Sequence, residues 1–154
     1  MSWVLHIGIA ILVTGCPNHP TPTGTVCPDP DPMTLTWDNF GRDFMTHYCT
    51  WCHDSTLTHS HRNGATIYHD YDTLLGLLRS YPHVDEQTGF GPDAHNEFMP
   101  PARCPSEPGG SIDKNCAKPT AEERTNLALW IACERNRPHD FSDAGVSDAG
   151  IDAP

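Results

Sequence analysis

The chain of 154 residues is poor in cationic and aromatic side chains and has no apolar run long enough to cross a membrane. Nine lysines and arginines stand against twenty aspartates and glutamates, which gives a formal net charge of −11. Because phosphate binding requires cationic groups, we expect no nucleic-acid partner, whereas a basic protein partner is compatible with this charge. Aromatic residues make up 8% of the chain, so the side chains supply only one modest core, and one domain is expected.

The longest apolar run, residues 4–13, has the length of the hydrophobic region of a signal peptide. It leads into a Val-Thr-Gly-Cys sequence that ends at Cys16 and resembles a bacterial lipobox, although the first three residues contain no lysine or arginine. Residues 1–16 are therefore predicted to be a lipoprotein signal peptide, with Cys16 as the lipidated residue. An ordinary secretory peptide and an uncleaved anchor are the alternatives, and all three export the chain. We expect an extracytoplasmic protein that is attached by lipid to a bacterial membrane.

Both flanks of the chain have compositions that disfavour folding. Residues 17–33 are rich in proline and predict an extended tether that buries nothing and holds the domain off the membrane. Residues 138–154 contain a repeated Ser-Asp-Ala-Gly and almost no large apolar side chain, which predicts a disordered acidic tail. The folded domain is accordingly predicted to cover residues 34–137.

A Cys-x-x-Cys-His run occupies residues 49–53 and is the attachment signal for c-type haem. On a helical turn Cys49 and Cys52 lie on one face, so both can reach the vinyl groups of one porphyrin. His53 follows directly and can offer an imidazole nitrogen to the iron. We expect one covalently bound haem c; half of a zinc site and a redox dithiol or disulfide are the alternatives.

Helices are predicted on both sides of this motif. Thr36 is a plausible N-cap for a helix that runs into it, and Thr120 begins a capping box for a C-terminal helix that contains Leu127 and Trp130. With Gly41 before the haem motif, this combination resembles the small monohaem class I cytochromes c of bacterial lipoproteins. The resemblance implies an all-α fold of three to four helices wrapped around one covalent haem, with Gly41 contacting Leu127 and Trp130 where the terminal helices cross.

A middle helix is predicted from Asp72 or Thr73 to Tyr81, because the stretch is rich in leucine. Pro82 is expected to stop it, since proline lacks the N–H that an interior helical position requires. In the family that the motif resembles, a middle helix lines the haem edge.

The sixth iron ligand is expected to be Met99, because the sequence Met-Pro-Pro that begins there resembles the loop that supplies a thioether in many small cytochromes c. Met45 and Met33 are less suited, the first lying within a helix and the second preceding the fold. An open or exchangeable sixth position and a second histidine ligand are the alternatives. The histidines available for a bis-histidine site are His59, His61, His69, His83 and His95.

The neighbours of the haem are harder to assign. Related cytochromes place a proline-containing turn after the haem histidine, and its carbonyl accepts the second imidazole N–H. Here the corresponding segment lacks proline, and a carbonyl near Ala65 is the expected acceptor. Arg62, Tyr68 and Tyr71 are candidate partners for the haem propionates, and each is also compatible with an ordinary surface position.

Four further cysteines, Cys27, Cys104, Cys116 and Cys133, allow two disulfides in three connectivities in an exported protein. Pairing Cys104 with Cys116 would close a loop of proline, glycine and polar residues. Pairing Cys27 with Cys133 would clamp the N-terminal approach to the last helix.

The function expected from these features is single-electron transfer by a monomeric, membrane-tethered cytochrome, which is an electron carrier and not an enzyme. Its partners would be redox proteins, among them basic ones. The first alternative is a haem-based sensor or small-ligand binder with a labile sixth ligand. The second is a zinc-binding structural lipoprotein.

Overall fold

The computed structural model describes residues 18–141. The signal peptide with Cys16 and residues 142–154 of the predicted tail lie outside the described residues. Between residues 18 and 141 the structure has three α-helices, two β-strands and two short helical turns, and no helix there is both long and apolar enough to cross a membrane. In chain order they are the π turn Trp37–Gly41, α1 (Arg42–Tyr48), the 3-10 turn His59–Arg62, α2 (Leu74–Thr88), β1 (Arg103–Pro105), β2 (Ile112–Asn115) and α3 (Ala121–Glu134).

Side-chain caps start the first and last helical segments where the sequence predicted them. The Thr36 hydroxyl accepts from the backbone N–H of Asn39, and the Asn39 side chain accepts in return from the backbone N–H of Thr36. At α3 the same reciprocal arrangement joins Thr120 and Glu123. These contacts satisfy N–H groups that have no partner in the first helical turn, so both predicted N-caps are confirmed.

The segment that leads into α1 crosses α3 at Gly41. A Cβ atom on Gly41 would lie 2.3 Å from the ring of Trp130, which is fully buried. Trp130 donates its indole N–H to the carboxylate of Glu134 at 2.9 Å, so its one polar atom is satisfied in the core. Leu127 is also fully buried in this core cluster. The predicted close approach of Gly41 and Trp130 is confirmed.

Helix α2 is longer than predicted. Thr73 caps it by accepting from Gly76 N at 3.1 Å, but the helix continues past Pro82 to Thr88. Ser80 leaves the helical conformation, with φ −134° and ψ 19°, and a second helical segment follows this kink. Proline is tolerated in the first turn of a helix, so Pro82 begins the second segment and does not end the first. The prediction that α2 stops at Pro82 is wrong for this reason.

The prediction of an all-α, class I cytochrome c-like fold is also wrong. Strands β1 and β2 form an antiparallel two-stranded sheet, in which Arg103 pairs with Asn115 and Cys104 with Lys114. The disulfide between Cys104 and Cys116 closes this hairpin, and Cys116 N donates to Ala102 O beyond the last strand pair. The segment that was expected to be a loop thus satisfies backbone groups within itself, and the described fold mixes α and β structure.

The proline-rich stretch is not a free tether in its described part, residues 18–33, which we call the N-terminal strap. Thr23 is fully buried and donates its backbone N–H and its hydroxyl to the carboxylate of Asp85, at 2.7 and 3.0 Å. The disulfide between Cys27 and Cys133 joins the strap to α3, and Asp31 forms an ion pair with Arg137. The expectation that this segment buries nothing is therefore wrong, because the strap supplies the donors that the buried Asp85 requires.

The folded part also reaches into the predicted acidic tail. The ring Nε2 of His139 lies 2.9 Å from the carbonyl oxygen of Glu134, at the end of α3. The His139 ring also contacts that of Phe141, with 5.4 Å between the ring centroids. His139 of the predicted tail therefore contacts the end of α3, and residues 142–154 of that tail lie outside the described residues.

Candidate functional site

A cavity of about 590 Å³ lies beside the Cys-x-x-Cys-His segment. Its wall includes Cys49, Cys52 and His53 together with Met99, which comes from a distant part of the chain. The volume lies within the range of small-molecule and cofactor pockets. The cavity thus brings together the two cysteines that are expected to attach haem and both expected iron ligands.

Cys49 and Cys52 differ from the other four described cysteines, of which Cys104 also lines the cavity. Cys49 and Cys52 are free thiols, whereas Cys27 is joined to Cys133 and Cys104 to Cys116. These are the two pairings that the sequence suggested. Burial raises the pKa of Cys49 to about 12, and it also raises the pKa of Cys52. Neutral thiols of this kind do not suit a reactive redox dithiol, which needs a thiolate.

A zinc site at Cys49 and Cys52 would need further ligands close to both sulfurs. Among residues 18–141, the group of three metal-ligating side chains that comes close enough together consists of Cys27, Asp31 and Cys133. Its cysteines are joined in a disulfide, so they cannot act as thiolate ligands. The described geometry gives the zinc alternative no support.

The imidazole of His53 is oriented for ligation. Its Nδ1 lies 3.0 Å from the carbonyl oxygen of His69, and a carbonyl can only accept, so Nδ1 carries the proton. The lone pair is therefore on Nε2, the nitrogen that remains for a metal. Burial lowers the pKa of His53 to about 4, which keeps the ring neutral and able to ligate. The predicted acceptor near Ala65 is wrong, since the carbonyl of His69 occupies that role.

Tyr71 supports His53 from a second side. The two rings stack with centroids 4.6 Å apart and an interplanar angle of 25°, and Tyr71 N donates to His53 O at 2.7 Å. Tyr71 lines the cavity, and burial raises the pKa of its hydroxyl to about 12. Tyr68, the other tyrosine considered for propionate contact, is 79% exposed and is not part of the cavity wall.

Arg62 has a structural role that the sequence did not indicate. It is 2% exposed, and its terminal nitrogens donate to carbonyl oxygens of Asp54, Thr66 and His69 and to the carboxylate of Asp70. The bond to His69 O, at 3.0 Å, falls on the carbonyl that also accepts from His53. Arg62 does not line the cavity, so the structure gives its expected propionate contact no support.

Met99 lies in the cavity wall with Pro100 and Pro101, and its side chain is 39% exposed. Its backbone is fixed on both sides, since Met99 N donates to Gln87 O at 3.0 Å and Met99 O accepts from Arg124 at 3.1 Å. The position suits a ligand that can reach into the cavity from a fixed backbone.

The other methionines and histidines that could ligate iron differ in whether they line the cavity. Met45 is fully buried in the helical core and Met33 is 56% exposed, and neither lines the cavity. Of the five histidines considered, His69 and His83 line the cavity, with ring centroids 4.9 Å apart. These two are the side chains that a bis-histidine site would draw on.

Two contributors to the site escaped the sequence analysis, the carbonyl of His69 and the guanidinium of Arg124. No short sequence pattern marks either contributor, because every residue carries a carbonyl and the acceptors of Arg124 lie in other segments. No protein-family model matches the chain, and the searches of curated proteins and of solved structures found no match either. The arrangement of the cavity residues is therefore the basis on which function can be argued.

Proposed function

We propose that this protein is an extracytoplasmic, membrane-tethered c-type cytochrome that transfers single electrons through one covalently bound haem c. The observation that supports this most is the convergence of Cys49, Cys52, His53 and Met99 on one cavity. The proposal depends on these residues and not on the fold class that the two-stranded sheet contradicts.

The cavity residues fit the chemistry of the group. The thiols of Cys49 and Cys52 are free to form two thioether bonds, and the Nε2 of His53 is the ring nitrogen free to ligate iron. The thioether of Met99 would complete the axial pair, and such a ligand raises the reduction potential relative to a second histidine. Haem supplies reversible one-electron chemistry when it is bound.

The protein residues orient the ligands. His53 is held through its ring nitrogen by His69 O, through its ring face by Tyr71 and through its own carbonyl by Tyr71 N. A ligand fixed from three sides can change its position little when the charge of the site changes. Val84, which is 4% exposed, adds apolar wall to the cavity beside these ligands. Electron transfer needs no general acid, base or nucleophile from these side chains.

Two disulfides between residues 18 and 141 support the extracytoplasmic location, because such bonds persist in oxidising compartments. The N-terminal strap is fixed to α3 through Cys27 and Cys133, so a lipid on Cys16 would connect to the domain through a short segment. This proposed anchor would keep the cavity near a membrane surface while the domain remains in the aqueous phase.

The proposal can be tested on the full chain co-expressed with a c-type maturation system. The reduced, pyridine-treated protein should give the spectrum of haem bound through two thioethers. Replacing Cys49 or Cys52 by Ala should weaken or abolish stable covalent attachment. A protein that emerges without haem, or undiminished two-bond attachment in either variant, would contradict the proposal.

The axial ligand has its own test. Met99→Ala should remove the weak long-wavelength charge-transfer band of ferric haem with a methionine ligand, because the thioether is lost. Met33→Ala is the matched control, since Met33 lies outside the cavity wall and its loss should leave the band intact. Persistence of the band in Met99→Ala would assign the sixth position to another residue.

A second candidate function is favoured by the exposure of Met99. A ligand side chain that is 39% exposed could leave the iron and admit a small molecule, as a haem-based sensor requires. Carbon monoxide added to the reduced protein separates the two functions. Rapid and complete binding at neutral pH would favour the sensor, whereas slow or partial binding would favour the electron carrier.

A further inference from the structure

Arg124 joins three chain segments at the edge of the candidate site. It lies in α3, and its side chain is buried, with 3% of the residue exposed. One terminal nitrogen, Nη1, donates to Thr88 O at 3.0 Å, to Asn96 O at 2.9 Å and to Met99 O at 3.1 Å. The three acceptors belong to the end of α2, to the following loop and to the segment of the expected iron ligand.

The charge of Arg124 is not neutralised by direct contact. Within residues 18–141 its hydrogen-bond partners are all neutral carbonyl oxygens, and the carboxylates of Glu97 and Glu123 act on it only through space. Burial of a cation without an ion-pair partner is costly. An apolar side chain in its place would leave the carbonyl oxygens of Thr88, Asn96 and Met99 without this donor, so these contacts account for the guanidinium.

The charge also reaches the cavity. Burial raises the pKa of the Cys49 thiol. The positive charge of Arg124 acts in the opposite direction, because it stabilises the thiolate. The interior screens charges poorly, so the same field acts on any redox centre held at Cys49 and Cys52. Adding an electron to such a centre lowers its positive charge by one, and a nearby fixed cation therefore favours the reduced state.

We propose that Arg124 is a positioning residue for the iron ligand Met99 and that its buried charge raises the reduction potential of the site. This inference rests on the proposed function. The guanidinium fixes the carbonyl of Met99 to α2 and α3, so that the thioether starts from a defined backbone position. The same group provides a positive charge that does not move when the electron arrives.

The experiment compares two substitutions in the full chain. Arg124→Gln removes both the charge and the three-way contact, whereas Arg124→Lys keeps the charge but replaces the planar guanidinium by an ammonium on a different stem, which changes the position of the donor. Hydrogen exchange of the segment 97–101, whose amide N–H groups belong to residues 97–99 because the other two are prolines, should be faster in both variants than in the wild type. The midpoint potential should fall clearly in Arg124→Gln and stay closer to the wild-type value in Arg124→Lys. The methionine charge-transfer band should be lost at a lower temperature in both.

Arg137→Gln is the matched control. Arg137 is another largely buried arginine, next to the C-terminal end of α3, but it pairs with Asp31 and Glu134 and does not line the cavity. Its replacement should lower global stability without changing exchange at residues 97–101 or the potential. Equal effects of Arg137→Gln and Arg124→Gln would overturn the proposal, because Arg124 would then act only through general stability.

The outcomes also separate this inference from the proposed function. If the wild type carries no haem, the proposed function is wrong, and so is the effect of Arg124 on the reduction potential. Unchanged hydrogen exchange at residues 97–101 in the Arg124 variants would then also reject the positioning role. If the wild type carries haem and Arg124→Gln keeps both its potential and its band, the proposed function stands and the inference fails. If Arg124→Gln does not fold, Arg124→Lys decides, since unchanged exchange and an unchanged band temperature in that variant would reject the positioning role.

Discussion

Gly41 is the residue on which the crossing of the first and last helical segments depends. The ring of Trp130 occupies the space where any larger residue would place its Cβ, at 2.3 Å from that position. Trp130 cannot withdraw easily, because it is fully buried and its indole N–H is bound to Glu134. Close approach of backbone to ring therefore requires glycine at this position.

Gly41→Ala should lower the free energy of unfolding by roughly 1–3 kcal/mol, the usual cost of overpacking a well-filled core. Urea denaturation of the full chain measures this. Gly110→Ala is the matched control, because its new Cβ would meet mainly the flexible side chain of Glu107, at 2.9 Å. Equal stability of the Gly41→Ala variant and the wild type would show that Trp130 can move aside.

The residues that the sequence predicted well are those whose signal is local. The caps at Thr36 and Thr120 are short patterns in which neighbouring residues act on one another. The acceptor for His53 was missed because it is the backbone carbonyl of His69, and every residue carries a carbonyl. Long-range donors such as Arg124 leave no short pattern either, since their acceptors come from other segments.

At the scale of elements, the sequence prediction missed the continuation of α2 past Pro82 and the hairpin of β1 and β2, and each miss has a physical reason. Pro82 was expected to end α2, but the kink at Ser80 turns the proline into an early residue of a second segment. The sequence of the β1–β2 hairpin predicts a loop, because its strands have only 3 and 4 residues and show no alternating apolar pattern. A disulfide supplies the closure that apolar packing would otherwise supply there.

The two disulfides should differ in their contribution to stability. Cys27 and Cys133 are separated by 106 residues and Cys104 and Cys116 by 12, so the first bond removes more freedom from the unfolded chain. The chain-entropy relation gives about 4.7 kcal/mol for a loop of roughly 100 residues and about 3 kcal/mol for one of roughly 15. Replacing Cys27 and Cys133 together by Ala should therefore lower the free energy of unfolding more than the same change at the other pair.

Chemical denaturation of the two double variants under identical conditions measures the difference. The comparison is internally controlled, since each variant loses two sulfurs and keeps the other disulfide. A larger loss from opening Cys104–Cys116 would mean that strain or packing, and not chain entropy, decides the order.

At the scale of the whole molecule, charge governs how a redox partner approaches. The formal net charge is −11, and the strap and α3 keep acidic side chains such as Asp31 and Glu134 paired with Arg137. The acidic residues of the whole chain still outnumber the basic ones, and this excess creates a long-range negative potential. Arg103 in the cavity wall is an exposed positive charge that opposes this potential locally.

On the proposed function, electron exchange with small inorganic complexes should report this potential directly. The second-order rate with a cationic reductant such as hexaammineruthenium(II) should fall as ionic strength rises, because salt screens the attraction. The rate with an anionic reductant such as ferrocyanide should rise over the same range. Screening acts over about 10 Å at 0.1 M salt, so the effect reports charges well beyond the cavity wall. If the rate with the cationic reductant instead rises with ionic strength and the rate with the anionic one falls, Arg103 and its neighbours control the approach. Arg103→Gln should then restore the salt dependence expected from the negative net charge.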